Sequence, residues 1–230
     1  FPINADDVVL DVGCGEGGNA NFCAGRGARL ILCDADANKI AESRERLSVY
    51  PDLRLETHIT DSNPLPLSAG TATRVICTEV LEHVDDPAAV LREMVRVGRP
   101  DALYLITVPG TAQEMLQKHL AAPSYFEKPN HIRIFTPDEF ADVVRNAGLT
   151  IEHTSSYGFF LSVWMALWWQ CNVGLTDARH PSLDAWASTW NHVLNGPDGA
   201  HIKETLDSVL PKFQVIVARK RVSATPVQYS

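Results

Sequence analysis

The sequence predicts an α/β fold, a doubly wound sheet of seven strands with a helical, Trp-rich cap inserted between the last two. Three observations point to it. From Val8 to Gly110, apolar runs of strand length alternate with helical stretches, the order that lays helices on both faces of a parallel sheet. At 230 residues the chain can bury one sizeable core. All five tryptophans fall between Gly158 and Pro211, outside that alternation.

Val8–Val12 is a continuous apolar run, suited to a strand buried on both faces. Gly17 to Gly25 holds a short helix. Arg29–Cys33 is the second strand, and Asn38–Ser48 is helical. Leu53–Ile59 alternates as a third strand. Asp61–Gly70, rich in Pro, Ser and Asn, is a loop. Val75–Thr78 is a short fourth strand. Asp86–Val97 is helical, with Pro87 in its first turn. Ala102–Val108 is the fifth strand, closed by Pro109-Gly110. A polar stretch containing Pro follows, up to Phe135. Thr136-Pro137-Asp138-Glu139 then makes a capping box, opening a helix that ends near Gly148. Thr150–Thr154 and Phe213–Ala218 are the sixth and seventh strands. The expected division is a core over 1–157 and 212–222, a cap over 158–211 and a tail over 223–230.

The composition is that of an ordinary soluble globular protein, with 45% hydrophobic and 21% charged residues. A net charge of −8 opposes a polyanion, which argues against nucleic acid as a partner. The five cysteines, Cys14, Cys23, Cys33, Cys77 and Cys171, are odd in number and scattered, which fits a reduced, cytoplasmic compartment. No basic-then-apolar leader is visible. Without an initiator Met, and with the first strand starting almost at once, a segment ahead of Phe1 is expected. The uncharged run Thr154–Thr176 is interrupted by Ser155, Ser156, Ser162, Gln170 and Asn172, so no integral membrane span is expected.

The first strand runs into "GCGEGG", where Gly13-x-Gly15-x-Gly17 overlaps Gly13-x-Gly15-x-x-Gly18. The second spacing is the dinucleotide fingerprint. Asp11 decides between the two readings. It ends the first strand facing the cofactor crevice, where a carboxylate would repel a pyrophosphate but attract a ligand carrying an ammonium and a sulfonium. Gly13 and Gly15 let the backbone turn and approach that ligand closely. Asp34, about 20 residues on, can accept ribose hydroxyls. Asp61-Ser62 follows the third strand, where a carboxylate can meet an adenine amino group. Thr78-Glu79 closes the fourth.

With "LDVGCGEGG", "LCDAD", "ITDSNPLP", "VICTEVLEHVDDPAAVLREMVRV", "LYLITVPG" and "HIRIFTPDEFADVVRNAGL" in order, the chain resembles the class I S-adenosylmethionine-dependent methyltransferases, in their type-11-like bacterial group. The resemblance covers Val8 to about His153. It implies a Rossmann-like methyltransferase fold, mostly parallel with an antiparallel final strand, and S-adenosylmethionine as methyl donor. It places donor contacts at Asp11, Gly13, Gly15, Asp34, Ala35, Asp61, Ser62 and Thr78; Cys14 and Glu79 join these by position. The tryptophan-rich insertion and the short N-terminus depart from a minimal member, so the acceptor does not transfer.

The expected activity is methyl transfer to a small molecule, with oxygen favoured over nitrogen or carbon. An NAD(P)-dependent oxidoreductase and a non-catalytic donor-binding relative are the alternatives. His131, in the segment that such enzymes fold over the crevice, is either the base that takes the acceptor proton or an imidazole fixed by the backbone. Tyr125 is a weaker candidate by the same argument. His83 either sits near the donor or caps the turn before Asp86. Glu79 and Glu82, a turn apart, read as a solvated face with one donor contact. No His, Asp or Glu pair has metal-ligand spacing, so no metal is expected. Trp164 and Trp168 are four apart, as are Trp186 and Trp190, so each pair shares a helix face. The cap is either a hydrophobic packing element and homodimer contact, or an aromatic wall for an apolar or ring-bearing acceptor.

Overall fold

The computed structural model describes residues 1–174 and 179–221, so the expected tail and the end of the uncharged run, Leu175 and Thr176, lie outside the described residues. The strands are β1 (Val8–Val12), β2 (Arg29–Asp34), β3 (Leu55–Ile59), β4 (Ala72–Thr78), β5 (Gly98–Pro109), β6 (Leu149–Tyr157) and β7 (Phe213–Lys220). They form one sheet in the order β3-β2-β1-β4-β5-β7-β6. The first five pair in parallel, and β7 runs antiparallel between β5 and β6. The strand order reverses between β1 and β4, and in open sheets ligands enter the crevice at that switch point.

The helices are α1 (Gly18–Ala24), α2 (Ala37–Leu47), α3 (Pro87–Val97), α4 (Thr111–Gln117), α5 (Pro137–Asn146), α6 (Phe159–Cys171), α7 (Pro181–Leu194) and α8 (Gly199–Val209). Alternation along the strands supplies two apolar layers. Leu10, Val12, Ile31, Val75, Tyr104 and Ile106 pack with Leu91 and Met94 of α3 and Phe140 and Val144 of α5. Val9, Leu30, Leu32 and Ile76 pack with Ala20 and Cys23 of α1 and Ile40 and Leu47 of α2. Asp86 caps α3 by accepting from Ala89 N, with Pro87 in the first turn. The capping box of Thr136 and Glu139 opens α5.

Several boundaries differ from the sequence expectation: β3 starts at Leu55 rather than Leu53, and β6 runs on to Tyr157 rather than ending at Thr154. β4 starts at Ala72 because its polar first residues have partners: Thr73 Oγ1 donates to Asp7 Oδ1 at 2.8 Å, and Arg74 pairs with Asp7 at 3.1 Å. β5 starts at Gly98, paired with Ala72. The stretch after Gly110 contains α4 and a short 3-10 turn, Pro123–Phe126, where an irregular segment was expected.

Between β6 and β7 the described residues form α6, α7 and α8. Phe160 of α6 stacks on Trp186 of α7 at 5.9 Å, and Trp186 Nε1 donates to Phe160 O at 3.0 Å. Trp190 lies 5.8 Å from Trp186, so that pair does share a face and welds α6 to α7. Asp207 of α8 accepts from Gly158 N and Phe159 N, tying the start of α6 to α8. Among the described residues no helix is long and apolar enough to cross a membrane.

Candidate active site

The glycine loop leaves β1 beside the second strand. Gly13 N and Cys14 N both donate to Cys33 O, at 2.8 and 3.1 Å. Gly13, Gly15 and Gly17 take positive φ values of 68°, 51° and 78°. A Cβ on Gly13 would stand 2.3 Å from Val80 Cγ2, whereas one on Gly15 would meet no atom within 4 Å. Gly13 is thus needed for the turn and for close packing, and Gly15 borders open space. Gly13→Ala is expected to lose about 1–3 kcal/mol of stability and to weaken any ligand of the loop, read by melting and calorimetry.

The loop opens on a cleft of about 900 Å³. Gly13, Gly15, Asp34, Ala35, Asp61, Ser62, Glu79 and His83 line it, so eight of the expected site residues come together there. Asp34 is held from both sides: Oδ2 accepts from Gly15 N and Oδ1 from Asp36 N, each at 2.9 Å. Its remaining lone pairs can still accept from a ligand. Asp61 Oδ1 accepts from Asn63 N at 3.1 Å. Ser62 and Glu79 adopt positive φ values of 69° and 56°, the kind of backbone strain that clusters at functional sites.

Other expected residues stand elsewhere. Cys14 turns its thiol into the packing of α1 and α2, 3.8 Å from Ser43 Oγ, and burial pushes it up to about 12. Only its backbone belongs to the loop. Thr78 Oγ1 accepts from Asn19 Nδ2 at 2.9 Å and does not line the cleft. Asp11 is 1% exposed, level with Leu32 and Ile76 in the sheet, and neither carboxyl oxygen has a partner. Burial, with the charge of Asp34 added, raises its carboxyl to about 7.

His131 lies beside the cleft, its ring 4.9 Å from that of His83 and 4.6 Å from that of Tyr125. Its Nδ1 meets Glu114 Oε2 at 2.8 Å, and Tyr125 Oη donates to Glu114 Oε1 at 3.2 Å. His83 Nδ1 faces Pro129 O at 3.0 Å, and burial lowers the pKa of its ring. Glu79 accepts from Thr107 Oγ1 at 3.0 Å and pairs with Lys212 at 3.6 Å. Burial nevertheless raises its carboxyl, and it raises that of Glu82 well above the usual range, with the Glu79 charge adding to the second. Contrary to a solvated face, Glu82 is fully buried, neither oxygen has a hydrogen bond, and Oε1 lies 3.8 Å from His83 Nε2.

Glu82, His83 and His131 also bring ligand-capable atoms within 4.8 Å of one another. Sequence spacing gave no hint of this, because the third member arrives from beyond β5. The trio can hold a proton or, equally, offer a divalent cation two imidazoles and a carboxylate. Glu114 and Lys212 were missed for the same reason: each reaches the site from an element whose position only the fold supplies.

A sequence profile of the family described as "Methyltransferase domain" matches residues 1–154. The chain belongs to this methyltransferase family. It is 30% identical over 146 residues to a probable S-adenosylmethionine-dependent methyltransferase of Mycolicibacterium smegmatis, covering 64% of this chain and 53% of the relative. It is 30% identical over 154 residues to the ubiquinone biosynthesis O-methyltransferase of Xanthomonas axonopodis, covering 64% of each. The chain thus spans less than two thirds of either relative's length. Among solved structures, the [4+2]-cyclase SpnF superposes with a TM-score of 0.65 at 17% identity, over 96% of this chain and 77% of the cyclase. The methyltransferase fold is therefore shared with a protein described by another reaction, and the chemistry here has to be argued from the site.

Proposed function

We propose that this protein transfers the methyl group of S-adenosylmethionine to an oxygen atom of a small-molecule acceptor, in a reducing, cytoplasmic setting. The observation that carries the reading is the unpartnered, buried carboxyl of Asp11 under a glycine loop whose cleft is lined by acids. Asp34, Asp36, Asp61, Glu79, Asp85 and Asp86 line that cleft against only Lys39 and Lys128. A cationic donor fits there and a pyrophosphate does not. The bound donor supplies an already activated sulfonium methyl.

The protein's part is alignment, exclusion of water and handling of one proton. Asp34, fixed by two backbone N–H groups, accepts from the ribose hydroxyls. Asp61 and Ser62 would face the adenine, Gly13 and Gly15 would admit the methionine portion, and the charge of Asp11, buried beneath the loop, would act on it at a distance. Ala35 and the backbone of Cys14 complete the wall. His131, with Nδ1 held by Glu114, presents Nε2 to the acceptor hydroxyl. In the transfer the acceptor oxygen would supply the electron pair of the new O–CH3 bond while the pair of the broken C–S bond stayed on sulfur, leaving His131 only the acceptor proton to take. The acceptor proton passes to Nε2.

Calorimetry tests the donor half. S-adenosylmethionine and S-adenosylhomocysteine are expected to bind and NADH not to; tight NADH binding without either would refute the reading. Asp34→Ala is expected to weaken S-adenosylhomocysteine roughly 10- to 100-fold, since it removes charge-assisted hydrogen bonds. His131→Ala should leave that affinity unchanged, and equal losses would remove the division into donor and acceptor sides.

A further inference from the structure

The inner face of α4 is built the wrong way round for a surface helix. Gln113, Glu114 and Gln117 are fully buried, while Met115 between them is 48% exposed. An amphipathic helix ordinarily does the reverse. Glu114 is satisfied by His131 and Tyr125. Gln113 and Gln117 are not: all four of their amide atoms are buried without a partner.

Across from them, α6 repeats the pattern. Ser162 Oγ and the indole nitrogens of Trp168 and Trp169 are buried and unpaired. Ser162 and Trp169 are seven residues apart, two turns along one face. Apart from the carboxylates of Asp11 and Glu82, seven such atoms on five side chains occur among the described residues. Native interiors keep very few, because each removes a polar group from water without return.

These groups belong to one region. Helices α4 and α6 pack against each other. Tyr125 joins them, with its hydroxyl on Glu114 and its ring 5.7 Å from Trp169. The charge of Glu114 is felt at Glu82. His131 sits at the boundary, against His83 of the donor cleft.

We propose that the α4–α6 corner is the acceptor pocket, and that it takes an uncharged acceptor carrying several hydroxyl groups. The inference rests on the donor reading above for the word acceptor, but the pocket stands on its own polar atoms. Two carboxamides and two indoles donate, while the carboxamide oxygens and the serine accept. A hydroxyl does both, so a set of hydroxyls can satisfy both kinds of group at once. An ammonium ligand would leave the four N–H-bearing groups without an acceptor. An anion would meet Glu82 and Glu114. An apolar ligand would leave every one of these atoms unpaired. Trp169 and Tyr125, which meet edge to face at 5.7 Å, border the corner with aromatic surface suited to the C–H or π face of a sugar or a polyhydric phenol. Of the apolar or ring-bearing acceptor expected from the tryptophan-rich sequence, the ring-bearing kind is kept, with hydroxyl groups on it.

The test uses methyl α-glucoside, catechol and 1-hexanol, each titrated with and without S-adenosylhomocysteine and read by tryptophan fluorescence and saturation-transfer NMR. The glucoside or catechol is expected to bind, and which of them does separates sugar from phenol. Gln113→Met and Gln117→Met are expected to weaken that binding about tenfold or more while leaving S-adenosylhomocysteine affinity unchanged. They should also raise the melting temperature by a few degrees, because an unpaired buried amide is replaced by an apolar chain of similar length. Preferential binding of 1-hexanol, or a lowered melting temperature with hydroxyl-ligand binding intact in both variants, would overturn the proposal. Failure of S-adenosylhomocysteine to bind would strike the donor reading alone, since the acceptor titrations are also run without it.

Discussion

Asp11→Asn is expected to stabilise the ligand-free protein at pH 8 while weakening its hold on S-adenosylmethionine. The carboxyl is buried without a hydrogen bond, and its pKa is raised from 3.8 to about 7. The sign follows from proton linkage. Between pH 4 and 7 the folded state keeps a proton that the unfolded chain has released, so stability falls as pH rises through that window. Above pH 7 the deficit is complete and amounts to about 4 kcal/mol, three units at 1.36 kcal/mol each. The Asn variant lacks this decline, so its advantage over the parent should grow from near zero at pH 4 to its full size at pH 8. Urea melts across that range measure it.

Donor binding should move the opposite way. A cationic ligand favours the ionised carboxylate, so S-adenosylmethionine affinity should rise with pH through about 7 in the parent and stay flat in the variant. Destabilisation of the variant at every pH would mean that Asp11 is ionised and partnered in the folded protein, and the charge argument for the donor would go with it.

The same residue shows where sequence reasoning reaches and where it stops. The strand run Val8–Val12 and the glycine spacing place Asp11 next to the loop, because a buried parallel strand and a tight turn leave few alternatives. Whether its carboxyl lines the cleft or lies under the loop depends on strand register: level with Leu32 and Ile76, it faces α1 and α2. Asp34, Asp61, Ser62 and Glu79 are legible since strand ends at a switch point must border the crevice. Cys14 and Thr78 share those addresses, yet their side chains turn to Ser43 and Asn19, a matter of local backbone angles that motif spacing does not encode.

Helix α4 is illegible for a different reason. Periodicity arguments look for apolar residues on the inner face, and here that face is Gln113, Glu114 and Gln117. A helix that breaks the pattern reads as an irregular polar stretch, and the buried Glu82 reads as part of a solvated face. Among the tryptophans, the spacing of four at Trp186 and Trp190 did identify a packed pair. The same spacing at Trp164 and Trp168 does not mark the ring contact that forms in α6, which is between the adjacent Trp168 and Trp169, 4.4 Å apart.

His131→Ala is expected to lower kcat by roughly 10²- to 10⁴-fold, the usual range for a positioned general base, with donor affinity unchanged. The geometry behind this is the contact of Nδ1 with Glu114 Oε2 at 2.8 Å, which fixes the ring and leaves Nε2 for the acceptor. Glu114→Gln keeps a hydrogen-bonding side chain there but loses the charge that stabilises the protonated ring, so a smaller loss in kcat is expected. A purely structural imidazole predicts something else: a fall in melting temperature, little change in turnover of the surviving protein, and no rescue by added imidazole. Restoration of His131→Ala turnover by imidazole would identify the lost group as a base, because a small molecule can replace a proton acceptor but not a packing contact. The neighbouring Glu82 and His83 supply the one competing role. If parental turnover collapses in EDTA and returns with a divalent cation, His131 is a ligand and the base must be sought elsewhere. Turnover indifferent to EDTA, together with imidazole rescue, leaves proton transfer as its function.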